Sequence, residues 1–281
     1  MSTITAARIS EAISELCLQA HWHLRRDVAR CLKKALRRET NARARRLLQA
    51  IIDNAATAQR RKLAICQDTG LPAVFVELGQ QARIRGDLNR AIQAGIRAGY
   101  TKGSFRHSIV KDPLLRGEPG VLPAVIHIDI VPGSRVKLTV LPKGFGCENK
   151  TQLKMFLPTA SLQEIEAFIV DTVRAAGPDA CPPYVIGVGL GGTAEAACLM
   201  AKKALLKDIA APDKKLAGHL SALSGRLEKK IDALKIGPMG LGGRTTALAV
   251  RIEAGPTHIA GLPVAVSVSC HALRSATKTL V

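Results

Sequence analysis

The sequence predicts an α/β fold of mixed α+β type, with mixed sheets flanked by helices and a helical, basic segment at the N terminus. Two patterns support this fold class. Apolar residues recur at helical spacing through the first sixty residues, and short runs with apolar residues at every second position begin near residue 73. A content of 47% hydrophobic and 22% charged residues is typical of a folded globular chain.

The N-terminal segment, residues 1–60, is predicted to pack on a main domain, residues 61–281. Its helical spacing is set by Ile9, Ile13 and Leu16, then Val28, Leu32 and Leu36, then Leu48, Ile51 and Ala55. Arginines and lysines are concentrated between residues 25 and 46, and the whole chain carries a net charge of +19. Such a field attracts anionic small molecules, an acidic protein or nucleic acid. A solvated helix face or a partner contact is favoured, because nucleic-acid surfaces usually carry more aromatic residues than the 3% found here.

Strands and helices are predicted in turn along the main domain. The predicted strands cover residues 73–78, 125–131, 136–141, 184–188, 248–252 and 264–268. Pro132-Gly133 separates the second strand from the third and predicts that these two form a hairpin. A capping box at Ser161–Glu164 begins a helix that Gly177-Pro178 ends, Thr193 caps the next helix, and leucines between residues 216 and 234 mark another.

Glycines at 187, 189 and 192 match the spacing of a dinucleotide-binding fingerprint, directly after a strand and before a helix. The acidic residue expected about 20 positions later, at the end of a second strand, is missing. Nicotinamide binding is therefore disfavoured. The remaining interpretation of this glycine loop is a general one: backbone amides at a helix N-terminus can bind an anion.

The chain is expected to be cytoplasmic and to have no membrane span. No run of about 18 apolar residues occurs, and the first residues lack the basic segment and apolar core of a secretion signal. In that compartment the seven cysteines are expected to be thiols or metal ligands rather than disulfides.

Cys66, Cys181 and Cys270 have neighbours that a buried structural cysteine does not need. Gln67 and Asp68 follow the first, two prolines follow the second, and a histidine follows the third. Thiolates from separate turns can hold an iron–sulfur cluster, and three protein ligands on four irons would leave one iron open as a Lewis acid. Spacing alone still favours structural cysteines, although the absence of C-x-x-C pairs argues against a zinc ribbon. Three other cysteines fall in helical apolar patterns and are expected to fill the core: Cys17, Cys31 and Cys198.

Other polar residues stand beside glycine or proline. Arg106 lies in Phe105–Ser108, His258 follows Pro256, and Lys143–Lys150 is a basic loop that contains glycine. Arginine can hold a carboxylate through two hydrogen bonds, and histidine can move a proton near neutral pH. Each of these residues, taken alone, is more simply explained as a surface or turn residue.

Taken together, these segments resemble the alpha subunit, or N-terminal domain, of class I iron–sulfur fumarate hydratases and the related L-tartrate dehydratases. The resemblance extends from about Asp53 to near the C terminus. It is carried by the following segments: Ile65–Gly70, Arg106–Leu114, Pro123–His127, Pro142–Gly144, Glu148–Lys150, Cys181–Pro183, Ile236–Gly243, His258–Ala260 and Cys270–Ala272. The sequence differs from the family pattern at Cys147, where a small residue is usual, and in the turn Arg116–Gly120.

The resemblance implies a [4Fe–4S] cluster and a site for a small dicarboxylate. The implied cluster ligands are Cys66, Cys181 and Cys270. The implied substrate-binding residues are Gln67, Arg106, Gly144 and Gly146, and the implied catalytic residues are Asp68 and His258. The implied reaction is the reversible hydration of fumarate to (S)-malate, with L-tartrate dehydration as the alternative. The family also implies a beta subunit that supplies the rest of the active site, so this chain alone is expected to be nearly inactive. A basic nucleic-acid-binding protein on the same fold is the alternative from a different class.

Overall fold

The structure is a computed structural model that describes residues 3–281. Its helices are α1 (Ala6–Trp22), α2 (Arg26–Arg38), α3 (Ala42–Arg61), α4 (Leu88–Lys102), α5 (Phe145–Glu148), α6 (Leu162–Ala176), α7 (Ala194–Ala204) and α8 (Gly218–Asp232). Its strands are β1 (Thr3–Thr5), β2 (Leu71–Gly79), β3 (Arg83–Arg85), β4 (Val125–Val131), β5 (Val136–Lys143), β6 (Gln152–Phe156), β7 (Tyr184–Gly192), β8 (Ala247–Thr257), β9 (Leu262–Ser269) and β10 (Ala276–Leu280). The predicted mixed α/β class is confirmed. Among the described residues, no helix has the length and apolar character needed to cross a bilayer.

The chain divides into two compact units that interleave in sequence. The first contains the described residues up to Arg25, together with Asn54–Phe145 and Arg274–Val281. The second contains Arg26–Asp53 and Gly146–Leu273. Each unit therefore takes part of the basic N-terminal stretch. The division at residue 60 into a helical segment and a catalytic domain stays a prediction.

The first unit is built on a four-stranded mixed sheet in the order β10-β5-β2-β4. Helix α1 packs against α4 and against β5. The predicted helical spacing is confirmed in α1, where Ile9, Ile13 and Leu16 are buried in the core of this unit. An apolar stripe at this spacing gives a helix one face to bury against the sheet.

The predicted hairpin of 125–131 with 136–141 is wrong, although both strands exist. Strand β2 lies between β4 and β5, parallel to the first and antiparallel to the second. The connection passes over the end of β2, where the Gly79 amide donates to the Arg135 carbonyl over 2.8 Å. A Cβ at Gly79 would lie 2.5 Å from the Gly133 carbonyl oxygen, so only glycine fits this crossing. The apolar strand β2 is almost wholly buried and gains hydrogen-bonding partners on both edges this way.

The second unit has a four-stranded mixed sheet in the order β6-β9-β7-β8. Helices α6 and α8 share its core with the sheet, and α7 packs on β7. The capping box is confirmed, because Ser161 accepts from the Glu164 amide and Glu164 accepts from the Ser161 amide. Thr193 occupies the N-cap position of α7, but its hydroxyl donates to the Glu195 carboxylate and does not cap the helix.

The glycines of the fingerprint-like pattern serve helix–strand packing. A Cβ at Gly187 would lie 2.1 Å from the Ala201 carbonyl oxygen, and one at Gly189 would lie 2.0 Å from that of Ala197. Both contacts are with helix α7, which the missing side chains allow to lie directly on β7. The spacing of these glycines thus has a cause in the packing of α7 on β7.

Candidate active site

The turn Cys66–Gly70 is organised by the side chain of Asp68. Its Oδ1 accepts from the Gly70 amide over 2.9 Å, and its Oδ2 accepts from the Phe145 amide over 2.8 Å. A Cβ at Gly144 would lie 2.9 Å from Asp68 Oδ2, so a larger residue there would displace this carboxylate. The carboxylate therefore joins two segments that the sequence placed in the site, Gln67-Asp68 and Gly144. Cys66 is half-buried, and its Sγ lies 3.5 Å from the Gln67 Oε1.

Arg106 is brought to the same region of the first unit. The Thr69 hydroxyl donates to the Arg106 carbonyl oxygen over 3.3 Å, which ties the Arg106 loop to the Cys66–Gly70 turn. The Arg106 side chain itself is exposed. Of the predicted substrate-binding residues, Gln67, Arg106 and Gly144 thus lie on connected segments of the first unit, together with Asp68.

Arg274 is a member of this region that nothing in the sequence singled out. Its side chain is buried, with 4% exposure, and Nη2 donates to the Asp68 carbonyl oxygen over 2.7 Å. Its Nε and Nη1 are buried without a hydrogen-bond partner among the residues described. An arginine that directly follows the apolar pair Ala272-Leu273 is the available signal, since arginine is seldom buried unless it is paired.

His21 supports the other side of the Cys66–Gly70 turn. Its Nδ1 lies 2.7 Å from the Cys17 carbonyl oxygen and its Nε2 lies 3.0 Å from that of Thr69. Burial, and then the positive charge of Arg274, lower the pKa of His21 to about 4. The imidazole is consequently neutral at pH 7, and only one ring nitrogen donates.

Stability should therefore fall below neutral pH because of His21. The unfolded imidazole titrates near 6.5 and the folded one near 4, so between these values the unfolded chain binds a proton that the folded chain refuses. Neutral His21 makes its full contribution to stability above about pH 6.5. That contribution is lost as the pH falls from 6.5 towards 4. From pH 7 to pH 5 the loss should be about 2 kcal/mol.

Urea unfolding at pH 7 and pH 5 measures this difference. Wild type should lose about 2 kcal/mol more than His21→Gln over this interval. The exposed His23→Gln is the matched control and should behave like wild type. Equal losses in wild type and His21→Gln would contradict the assignment.

In the second unit, the loops of Cys181 and Cys270 are hydrogen bonded to each other through His271. The Cys181 carbonyl oxygen accepts from the His271 amide over 3.4 Å and faces the His271 Nδ1 at 2.9 Å. Cys181 has a φ of 57°, a left-handed conformation that is uncommon outside glycine. Cys270 directly follows β9, and both cysteines are half-buried. Two of the three predicted ligands thus lie on adjoining loops.

The other four cysteines differ in burial: two are buried in the protein and two are only partly buried. Cys147 is buried, and its Sγ lies 3.4 Å from the Ala180 carbonyl oxygen, next to Cys181 in the chain. Cys17 is wholly buried, and burial raises the pKa of its thiol to about 12. The core prediction is confirmed for Cys17, whereas Cys31 and Cys198 are only partly buried. Within residues 3–281 no disulfide is formed.

His258 and Gly146 also belong to the second unit. His258 is exposed just beyond β8, and its Nδ1 accepts from the Ala260 amide over 3.2 Å. A neutral ring at this position therefore carries its proton on Nε2. Gly146 has ample room for a Cβ, because the nearest atom would lie 4.0 Å away. Nothing steric requires glycine there.

No group of three or more His, Cys, Asp or Glu side chains within residues 3–281 stands ready to hold a metal ion. The ligand set Cys66, Cys181 and Cys270 thus stays a prediction. The same holds for the catalytic roles of Asp68 and His258 and for the substrate-binding roles.

Comparison with known proteins gives consistent matches along the chain. The sequence model of the fumarate hydratase (Fumerase) family matches residues 10–279. A Methanocaldococcus jannaschii protein named "Putative L(+)-tartrate dehydratase subunit alpha" is 35% identical, over 97% of this chain and 98% of that protein. The L(+)-tartrate dehydratase subunit alpha of Escherichia coli strain K12 is 28% identical, over 96% of this chain and 90% of that protein.

The fold and these matches define a mixed α/β protein of the hydro-lyase class, the enzymes that add or remove water. The chain belongs to the fumarate hydratase (Fumerase) family. The resemblance inferred from the motifs is thereby confirmed.

Proposed function

We propose that this chain is the cluster-bearing alpha subunit of a hydro-lyase that acts on four-carbon dicarboxylates. The observation that carries the proposal is the double role of Asp68, whose two carboxylate oxygens hold the Gln67 turn and the Gly144 loop in one arrangement. Fixed positions for polar groups are what a small charged substrate requires. Membership of the fumarate hydratase family supports water addition or removal as the chemistry.

The cysteines present fit a [4Fe–4S] cluster in chemical type. Cys66, Cys181 and Cys270 are half-buried thiols without disulfides, and two of them are on loops joined by His271. Three thiolates suit an iron–sulfur cluster. When bound, such a cluster would supply a Lewis acid for a substrate hydroxyl.

The chain's own residues would bind and orient the substrate. Arg106 offers a planar pair of donors for one carboxylate, and the Gln67 amide offers another donor. Asp68 is engaged with two backbone amides, so its contribution is a fixed acceptor rather than a mobile one. His258 carries a proton at Nε2 in its neutral form and can donate it to a carboxylate or transfer it.

A beta subunit is part of this proposal. Both relatives are named as alpha subunits, and the matches cover 98% and 90% of their lengths. The partner would carry the group that removes the proton from the carbon next to the hydroxyl-bearing one. This chain alone would then have negligible turnover, and the complex would be found in the cytoplasm.

Two substrates are candidates. Fumarate and (S)-malate are the first candidate pair, and membership of the fumarate hydratase family supports them. L(+)-tartrate is the second candidate, because both relatives carry that substrate in their names. L(+)-tartrate carries one hydroxyl group more than malate, so a site that hydrogen-bonds this extra hydroxyl would discriminate strongly between tartrate and malate.

Steady-state rates of the iron-loaded complex with its beta chain separate these candidates. We expect malate and fumarate to interconvert, with the chain alone nearly inactive. A higher kcat/KM for L(+)-tartrate would move the assignment to tartrate dehydratase. Failure of the loaded complex on all three compounds would overturn the hydro-lyase proposal.

A further inference from the structure

The basic helix α2 borders a concavity of about 700 Å³ that lies wholly within the second unit. This volume is in the range of small-molecule sites. Its wall is rich in cations from two parts of the unit, α2 and the chain around the start of β8: Lys33, Lys34, Arg37, Arg38, Arg244 and Arg251. None of these residues has a part in the proposed hydro-lyase site.

Arg30, the fifth α2 cation in this wall, is paired with Asp208 over 3.5 Å, whereas the other four lack such a close acidic partner among the described residues. Among residues 3–281, no carboxylate lies within 4.0 Å of the charged groups of Lys33, Lys34, Arg37 or Arg38. The wall also contains two carboxylates, Glu228 and Asp232.

Those two carboxylates are engaged with strand β8. Glu228 Oε1 accepts from the Val250 amide over 2.9 Å. Asp232 Oδ1 accepts from the amides of Thr246 and Ala247 over 2.8 and 3.0 Å. Glu228 Oε1 also lies 3.6 Å from Arg251 Nη1 and offsets part of the charge of this arginine. The lysines and arginines of the lining outnumber these two acids, so the cavity keeps an excess of positive charge.

A second part of the wall, around Ile209 and Arg251, is held in place by hydrogen bonds within the protein. Arg251 donates to the Asp208 and Ile209 carbonyl oxygens over 2.9 and 2.7 Å. Asp27 of α2 accepts from the Ile209 amide over 2.9 Å, which ties this loop to the basic helix. A wall held in this way loses little conformational freedom when it binds a ligand.

The spacing of the cations on α2 has no explanation in helix stability alone. Lys33 with Arg37, and Lys34 with Arg38, are like charges four residues apart, an arrangement that destabilises a helix. Arg37 and Arg38 lie in the last turn, where the helix dipole favours cations. Lys33 and Lys34 lie before that turn and gain less from the dipole. An anion in the concavity would remove this repulsion.

We propose that this concavity binds a chain of linked phosphates, of the kind found in inorganic tripolyphosphate and in nucleoside triphosphates. A chain of several negative charges matches two adjacent rows of cations along one helix face. The lining contains no aromatic residue for base stacking, which disfavours a single-stranded nucleic acid. The site stands independently of the proposed hydro-lyase function.

Calorimetric titration of the full chain with inorganic tripolyphosphate tests this site. We expect saturable binding of one anion per chain that weakens as salt is added. Lys34→Gln/Arg38→Gln should raise Kd at least about tenfold. The control Arg43→Gln/Arg46→Gln removes the same charge from exposed positions outside the cavity and should change Kd by less than about twofold. Circular dichroism and melting curves confirm folding of both variants.

Titration with ATP distinguishes the two sources of the phosphate chain. Equal affinity for ATP identifies a nucleoside triphosphate as an acceptable ligand, and binding of tripolyphosphate alone identifies the inorganic anion. Lack of saturation by tripolyphosphate would overturn the site. So would equal weakening in the two double variants, or tighter binding of a single-stranded RNA of about ten nucleotides. Those results would indicate a diffuse basic surface.

Discussion

Replacing Cys181 with serine should remove most of the iron and sulfide from the anaerobically reconstituted chain. A four-iron cluster on three thiolates contains about four irons and four sulfides, and an alcohol is a poor substitute for a thiolate ligand. The dehydratase rate of the proposed complex with a beta chain should fall at least about a thousandfold, because Lewis-acid stabilisation worth several kcal/mol would be lost. Iron and acid-labile sulfide per chain give a readout separate from activity.

Cys147→Ser is the matched control for this experiment. Cys147 belongs to the same unit, and its thiol contacts the carbonyl of Ala180, the residue before Cys181. A serine hydroxyl can keep that hydrogen bond, so iron content and rate should stay near wild type. If Cys147→Ser loses the iron and Cys181→Ser keeps it, the ligand assignment is wrong. Cys270→Ser should behave like Cys181→Ser.

Gly189→Ala should strongly destabilise the second unit. The added methyl group would lie 2.0 Å from the Ala197 carbonyl oxygen, and both atoms belong to the packed interface of α7 with β7. Backbone on both sides leaves no flexible group to move away. We expect a loss of about 3 kcal/mol in the free energy of unfolding, measured by urea denaturation.

Gly225→Ala gives the opposite expectation for the same chemical change. Gly225 lies inside α8, and a Cβ there would meet no atom within 4 Å. Alanine favours the helix over glycine, so stability should rise by about 0.5–1 kcal/mol. Similar effects of the two substitutions would show that the contact with α7 is not the cause.

Local patterns were sufficient to predict most elements that bury an apolar face. The spacing of Ile9, Ile13 and Leu16 gives α1, and the capping box at Ser161–Glu164 gives the start of α6. Strands β7, β8 and β9 follow from short apolar runs. These signals are local, because periodicity and capping depend on residues only a few positions apart.

Strand pairing could not be predicted in the same way. The turn Pro132-Gly133 resembles that of a hairpin, yet β2 lies between the two strands because its buried residues gain partners on both edges. The short strands β1, β3 and β10 carry no strong pattern of their own and depend on distant neighbours. Pairing is a long-range property that the local composition of a turn does not determine.

The sequence indicated which residues form the candidate site, and their roles stay predictions, but it did not indicate the contacts that hold them in place. Family motifs indicated Gln67, Asp68 and Arg106, and the structure places them on connected segments of one unit. The role of Asp68 as an acceptor for two backbone amides was not predictable from sequence, because Phe145 is distant in the chain. Arg274 was missed for the same reason, since its contact with Asp68 spans more than two hundred positions.

The pairing of strand β10 affects the order in which the two units can complete their folds during synthesis. It pairs with β5 in the first unit, although every segment of the second unit precedes it along the chain. During synthesis, the second unit has all of its segments before the sheet of the first unit receives its edge strand. Until then the outer edge of the apolar strand β5 lacks a partner and is open to pairing with other nascent chains. A chain that has been made only as far as residue 275 would thus expose this edge of β5 to pairing with other chains.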